Sequence, residues 1–148
     1  MQCYVNVTCI KTCWFRDSTM KILHREDGPA VEYKDGSKEW WINDILHRED
    51  GPAIEYADGH KEWWINGNPH REDGPAIEYS NGDKRWYLAG KPHREDGPAV
   101  EDVSGYKGWW LEGNPVTEKE FNEKMNPVVE LTVADIEKLL GKKVKIVK

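Results

Sequence analysis

The sequence predicts a mainly β protein: a single-layer twisted antiparallel sheet of stacked β-hairpin repeats, closed by a small C-terminal α/β cap. Three observations point there. The phrase His-Arg-Glu-Asp-Gly-Pro-Ala occurs four times, beginning at His24, His47, His70 and His93, always 23 residues apart. Self-similarity at such a period marks a stack of equivalent supersecondary units. Each phrase is followed by a short β-branched and aromatic run, a turn pair and a second aromatic run, which is the grammar of a hairpin. Finally, only 38% of the 148 residues are hydrophobic while eight are Trp and six Tyr, so burial must come mainly from large rings, each removing about 150–250 Å² from water.

The chain divides into a degenerate N-terminal capping repeat at 1–23, four 23-residue hairpin repeats at 24–115, and a helix–helix–strand cap at 116–148. In the repeats, Ala30 to Tyr33 and its equivalents Ala53 to Tyr56 and Ala76 to Tyr79 form the first strand, and Lys38 to Ile42, Lys61 to Ile65 and Lys84 to Leu88 the second. Asp35-Gly36, Asp58-Gly59 and Asn81-Gly82 supply the turns, because these pairs accept positive φ. The HREDGP phrase becomes the loop between hairpins, since Gly-Pro cannot lie inside a paired central strand. The last unit closes on Ser104-Gly105 and Lys107 to Leu111. At the other end, Lys11 to Phe15 aligns with Lys38 to Ile42, followed by four extra residues, as befits an atypical terminal repeat. Beyond Pro115, Thr117 and Glu120 form a capping box starting a helix at about Glu118 to Met125, and Asn126-Pro127 ends it. Thr132 and Asp135 repeat the device for a helix ending near Gly141, and Val144 to Val147 reads as a strand. The tail covers the last sheet edge; an edge left incompletely capped would allow a homodimer.

Neighbouring strand residues point to opposite faces. With a two-residue turn, Val31 lies opposite Trp40 and Ala30 opposite Trp41. One face then carries Val31, Tyr33, Trp40 and Ile42 and serves as core. The other aligns Trp41, Trp64, Tyr87 and Trp110 beside Glu32, Glu55, Glu78 and Glu101; a bulge at the turn would exchange these assignments. This aromatic and acidic row is the candidate binding face.

The HREDGPA phrase is rich in catalytic residue types, but its copies cannot converge. Two strands separate equivalent atoms by about 9–10 Å, whereas zinc needs its nitrogens about 2.0–2.1 Å from one ion. Cys3, Cys9 and Cys13 with His24 lack a Cys-x-x-Cys spacing, so no metal and no cofactor is expected. Identical carboxylates in every repeat make poor acid–base pairs, which need unlike environments, and no nucleophile elbow, phosphate loop or His-Glu-x-x-His is present. The expectation is a non-enzyme. A net charge of −6 disfavours nucleic acid and anionic membranes as partners, and no segment approaches the roughly 20 apolar residues of a membrane span. Three cysteines without a signal segment read as reduced thiols in a cytoplasmic protein.

The stretch Trp63-Trp64-Ile65-Asn66-Gly67-Asn68-Pro69-His70, followed by Gly74 and by turns of the Asp58-Gly59 type, resembles a divergent MORN (membrane occupation and recognition nexus) repeat over about 24–115. It departs from that family in three places: Arg-Glu-Asp stands between His and Gly, Pro-Ala follows the Gly, and Trp-Trp replaces aromatic-x-Gly. In this it is nearer the LHREDGPA-type arrays of bacteriophage and large-virus proteins and of bacterial antitoxin-like proteins, whose ends the tail at Thr117 to Met125 also resembles. The resemblance implies an interaction scaffold without a shared catalytic set; the lipid binding proposed for some relatives suits an acidic chain poorly. The resulting expectation is a protein-interaction module, a phage-type accessory protein that binds and inhibits a host defence protein in the host cytoplasm. Its contacts would be Trp41, Trp64, Tyr87 and Trp110, with Glu32, Glu55 and Glu78 supplying charge. The alternatives are sequestration of a nucleotide-like small ligand and acidic mimicry of a polyanion.

Overall fold

The computed structural model describes residues 2–3, 10–15, 22–127 and 130–144. The protein is an open antiparallel sheet of successive hairpins followed by two short helices. Val31–Tyr33 pairs with Lys38–Glu39, Ile54–Glu55 with Lys61–Glu62, Ile77–Glu78 with Lys84–Arg85, and Val100–Glu101 with Lys107–Leu111. Each hairpin also pairs with the next, and Ile10–Trp14 joins at the N-terminal end.

The turns hold one residue more than the two-residue reading requires. Val31 faces Glu39 and Glu32 faces Lys38; the Tyr33 amide donates to the Ser37 carbonyl at 2.9 Å and the Gly36 amide to the Tyr33 carbonyl at 3.1 Å. The loop is therefore Lys34-Asp35-Gly36, with Gly36 at φ 99° as the left-handed residue of a bulged three-residue turn. One extra residue turns every side chain of the second strand to the opposite face. Val31 consequently shares a face with Glu39, not with Trp40.

The second strand is also shorter than Lys38 to Ile42. Trp40 is the last residue in register with the neighbouring hairpin: its amide donates to the Ala53 carbonyl at 2.8 Å, while its carbonyl leaves the ladder and accepts the His47 amide at 3.2 Å. Trp41–Ile42 then forms a separate small hairpin with Ile45–Leu46, as do Trp64–Ile65 with Asn68–Pro69 and Tyr87–Leu88 with Lys91–Pro92. Their tips are two-residue turns with both φ values positive: Asn43-Asp44 (51°, 62°), Asn66-Gly67 (51°, 74°), Ala89-Gly90 (48°, 81°) and Glu112-Gly113 (52°, 84°). This is the type I′ geometry whose twist matches paired strands. The last repeat keeps Lys107–Leu111 unbroken, so one strand serves both the main sheet and its own small hairpin with Asn114–Val116.

The N-terminal segment is a repeat displaced by one residue from the alignment of Lys11 on Lys38. Trp14 donates its amide to the Ala30 carbonyl (2.7 Å), as Trp40 does to Ala53, and the His24 amide donates to the Trp14 carbonyl (3.1 Å), as His47 does to Trp40. Trp14 is thus the equivalent of Trp40, and an irregularity between Ile10 and Thr12 absorbs the displacement.

Helix α1, Glu118–Met125, starts on the Thr117–Glu120 capping box, and α2, Val133–Leu140, on the Thr132–Asp135 box, ending at Gly141 with φ 61°. The strand read at Val144 to Val147 falls outside the described residues after Val144. Among the described residues no helix is long and apolar enough to cross a membrane.

The core is thin. Ala30, Ala53, Ala76 and Ala99 are fully buried, joined by Val31, Ile54, Cys13 and Phe121, and no large side chain among the described residues is wholly enclosed. What covers the alanine side of the sheet is the row of HREDGPA loops.

Candidate interaction face

Most positions of the HREDGPA phrase have a structural task. Its arginines, Arg48, Arg71 and Arg94, lie with the guanidinium carbon 4.0 Å from the ring centres of Trp40, Trp63 and Trp86, and Arg25 lies 4.2 Å over Trp14. From that stack Arg71 Nε donates to Asp73 at 2.8 Å, and its Nη1 donates to the Pro75 carbonyl at 3.3 Å and to Glu78 at 3.0 Å. Arg48 and Arg94 make the equivalent sets. A planar fork with five donors is the side chain able to satisfy all of these while lying flat on indole. Glycine follows because the guanidinium occupies its side-chain space: a Cβ on Gly74 would lie 3.0 Å from Arg71 Cζ, and one on Gly28 2.8 Å from Arg25 Cζ.

The histidines tie one repeat to the next. Nδ1 of His24, His47, His70 and His93 accepts the amide of Asn43, Asn66, Ala89 and Glu112, the first positive-φ residue of the following small hairpin. Their Nε2 atoms stand 3.5–3.8 Å from the exposed Glu26, Glu49, Glu72 and Glu95. The Asp residues are held as carboxylates: the Arg25, Arg48, Arg71 and Arg94 side chains keep Asp27, Asp50, Asp73 and Asp96 below the usual carboxylate range.

These contacts decide where the sequence-selected residues stand. Glu55, Glu78 and Glu101 are on the loop-covered face, paired with Arg48, Arg71 and Arg94 at 2.9–3.0 Å; Glu32 holds the equivalent register position beside Lys38. They do not flank Trp41, Trp64, Tyr87 and Trp110, because the bulged turn puts the two sets on opposite faces. The acid beside Trp41 is Glu39. Trp41 Nε1 donates to Glu39 Oε2 at 2.8 Å, and the Tyr33 hydroxyl donates to Glu39 Oε1 at 2.9 Å. In the next repeat Trp64 Nε1 donates to Glu62 Oε2 at 2.8 Å. His60 stacks between Tyr56 and Tyr79, at 4.6 and 4.7 Å between ring centres, and its Nε2, buried and without a hydrogen bond, lies 3.2 Å from Glu62 Oε1. Burial, reinforced by Glu39, raises the Tyr33 hydroxyl above the usual tyrosine range; burial first, then Glu62, does the same for Tyr56.

Sequence reasoning put Trp40 and Trp41 on opposite faces but assigned the acids to the wrong face, missing Glu39 and Glu62 beside Trp41 and Trp64 together with the Tyr56–His60–Tyr79 stack. The turn was the available signal: a three-residue loop with Gly last is as legible in Tyr-Lys-Asp-Gly-Ser as a two-residue Asp-Gly turn. Comparison with protein-family models, with curated proteins and with solved structures found no match to this chain.

Proposed function

We propose that this chain is a non-enzymatic protein-interaction module, a divergent MORN-like repeat protein that engages its partner through the face bearing Trp41, Trp64, Tyr87 and Trp110. The observation that supports this best is the division of labour between the two faces. The His, Arg and Asp side chains of the HREDGPA phrase are bonded within the fold, while the opposite side of the single layer exposes aromatic rings such as Tyr56 and Tyr79, at 41% and 39% of their surface. Exposed, partly preorganised Tyr and Trp rings are the residue types that dominate binding energy at protein interfaces. The likeness to phage-borne arrays extends the reading to an accessory protein that inhibits a host defence protein in the host cytoplasm.

The test is a pull-down from host lysate. A stoichiometric partner is expected with the wild-type chain, retained in Glu49→Gln on a loop and lost in the double variant Trp64→Ala, Tyr87→Ala with unchanged far-ultraviolet circular dichroism. Retention of the partner by the folded double variant contradicts the proposal.

A further inference from the structure

The loop face is uniform from repeat to repeat, with Lys38, Lys61, Lys84 and Lys107 two residues before Trp40, Trp63, Trp86 and Trp109. The open face is not. There the residue that follows each turn reads Ser37, His60, Asp83 and Tyr106, and the residue two further on reads Glu39, Glu62, Arg85 and Gly108. In the first strands, Tyr33, Tyr56 and Tyr79 give way to Asp102.

These changes follow an order that a two-fold axis along the strand Ile77–Glu78 makes visible. Rotation about it sets a second copy face to face with the first, reverses the strand order and keeps each row of side chains over itself. Lys61–Glu62 and Lys84–Arg85 flank Ile77–Glu78 on its two sides, so Glu62 of one copy opposes Arg85 of the other, and the reverse. His60 opposes Asp83 in the same way. One strand further out Tyr56, a hydroxyl donor, opposes the Asp102 carboxylate. At the next strand Tyr106, 59% exposed, comes over the small Ser37, and Glu39 meets the uncharged Gly108. Tyr79, 39% exposed, lies on the axis and meets its own copy. A row of Glu in all four repeats would have set Glu against Glu; the change of sign at Arg85 makes the face its own complement, which is the requirement of an isologous contact.

The charged groups keep capacity for such a contact. Arg85 Nη1 donates to the Lys84 and Glu101 carbonyls at 3.0 Å, while its Nη2 stands 3.9 Å from Asp83 Oδ2, beyond hydrogen-bond reach. Glu62 accepts Trp64 Nε1 at 2.8 Å and has His60 Nε2 at 3.2 Å without a hydrogen bond. Size is adequate as well. Seven strands at about 4.8 Å and three same-face rows at about 6.6 Å cover about 650 Å² on each copy, or about 1,300 Å² in total, within the range of specific interfaces. Two sheets packed in this way make a sandwich, the ordinary means by which a sheet buries its second face.

We propose that the open face is a homodimer interface, on which a second copy of this chain docks face to face about a two-fold axis along Ile77–Glu78. The inference rests on the open face being the interaction surface and names its occupant when the chain is alone; any other protein bound there displaces the second copy.

The experiment is sedimentation equilibrium of the full chain, with circular dichroism to confirm folding. The wild-type chain is expected to dimerise. Arg85→Glu and Glu62→Arg should each weaken the dimer about tenfold or more, because each sets like charges against one another. An equimolar mixture of these two variants should dimerise again, as should the double variant, since both restore opposite signs across the axis. Tyr79→Glu, which meets itself on the axis, should give the same loss independently of the exchanged pair, and Glu49→Gln on the exposed loop should give none. A monomeric wild-type chain overturns the inference. A dimer that Arg85→Glu and Tyr79→Glu leave unchanged also overturns it. Capture of a lysate protein by a monomeric chain, dependent on Trp64 and Tyr87, overturns this inference and leaves the interaction face standing. A dimer that obeys the charge exchange while no lysate protein is captured upholds this inference and removes the host partner instead.

Discussion

At the scale of single residues, the HREDGPA phrase is a set of mutual conditions centred on arginine. Arg71 lies flat on Trp63 because Gly74 leaves the room, and it reaches Asp73, the Pro75 carbonyl and Glu78 from that one position. Gly74→Ala is therefore expected to displace the guanidinium and lower stability by about 1–3 kcal/mol, the usual cost of forcing atoms into filled space. Gly59→Ala meets open space and only an unfavourable φ of 94°, so about 1–2 kcal/mol is expected there. Urea unfolding of the two variants measures both, and retention of wild-type stability by Gly74→Ala would remove the guanidinium stack as its cause. The aspartates give a pH signature. Asp73 is held below the usual range first by its hydrogen bond to Arg71, so its native value lies under the unfolded value of about 3.9. A depressed acid stabilises fully above the unfolded value and loses that contribution as pH falls through the native one. Nuclear magnetic resonance titration of the Asp73 carboxyl should give a midpoint under about 3.9 that moves back up in Arg71→Gln; a midpoint unchanged by that substitution speaks against the pairing.

At the scale of elements, the small hairpins are the part of the fold that joins repeats along the loop side. Their tips need two positive φ values, and the His of the preceding phrase receives the amide of the first tip residue, as His70 does for Ala89 at 3.0 Å. The following amide, Gly90, donates to the Pro69 carbonyl at 2.9 Å. His70→Ala removes the first bond and leaves a solvent-accessible tip N–H to water, which is expected to cost about 0.5–1.5 kcal/mol. Amide hydrogen exchange at Ala89 should rise above that of Glu112, whose own acceptor His93 is untouched; equal exchange at the two would show that the histidine is not holding the tip. Much of this architecture was legible. The 23-residue period, the first strands, both helix capping boxes and the Gly141 stop follow from local chemistry acting within a few residues. The small hairpins were hidden because Trp40-Trp41-Ile42 reads as one continuous strand; the Trp40 amide still follows the ladder to Ala53, and the strand is interrupted only where the Trp40 carbonyl takes the His47 amide instead. Asn66-Gly67 was nevertheless a strong hairpin signal, flanked by Trp64-Ile65 and Asn68-Pro69. The face assignment failed for a similar reason: a period-two argument carries no information about which face is which until the turn length is known, and Lys34 belongs to the turn. The displaced Trp14 was not legible because its alignment depends on an irregularity next to Thr12.

At the scale of the whole molecule, the protein solves the problem of a thin sheet by building a second layer from its own connections. Arg25, Arg48, Arg71 and Arg94 cover Trp14, Trp40, Trp63 and Trp86. Trp109 has no further HREDGPA phrase to supply an arginine, and Phe121 of α1 takes that place, its ring centre 4.6 Å away and its side chain buried. The helix is thus a cap on the row of rings, which gives the tail a task that edge protection alone does not describe. Adjacent tryptophans in one sequence pair consequently belong to different jobs: Trp63 to the arginine-covered layer, Trp64 to the open face. The most direct test is urea unfolding of Trp63→Ala beside Trp64→Ala. Trp63→Ala should lose about 3 kcal/mol or more, since it removes a packed ring together with the support of Arg71, while Trp64→Ala should lose at most about half as much and stay folded. Equal losses, or a larger loss at Trp64, would contradict the division of the sheet into an arginine-covered structural face and the open face proposed for interaction.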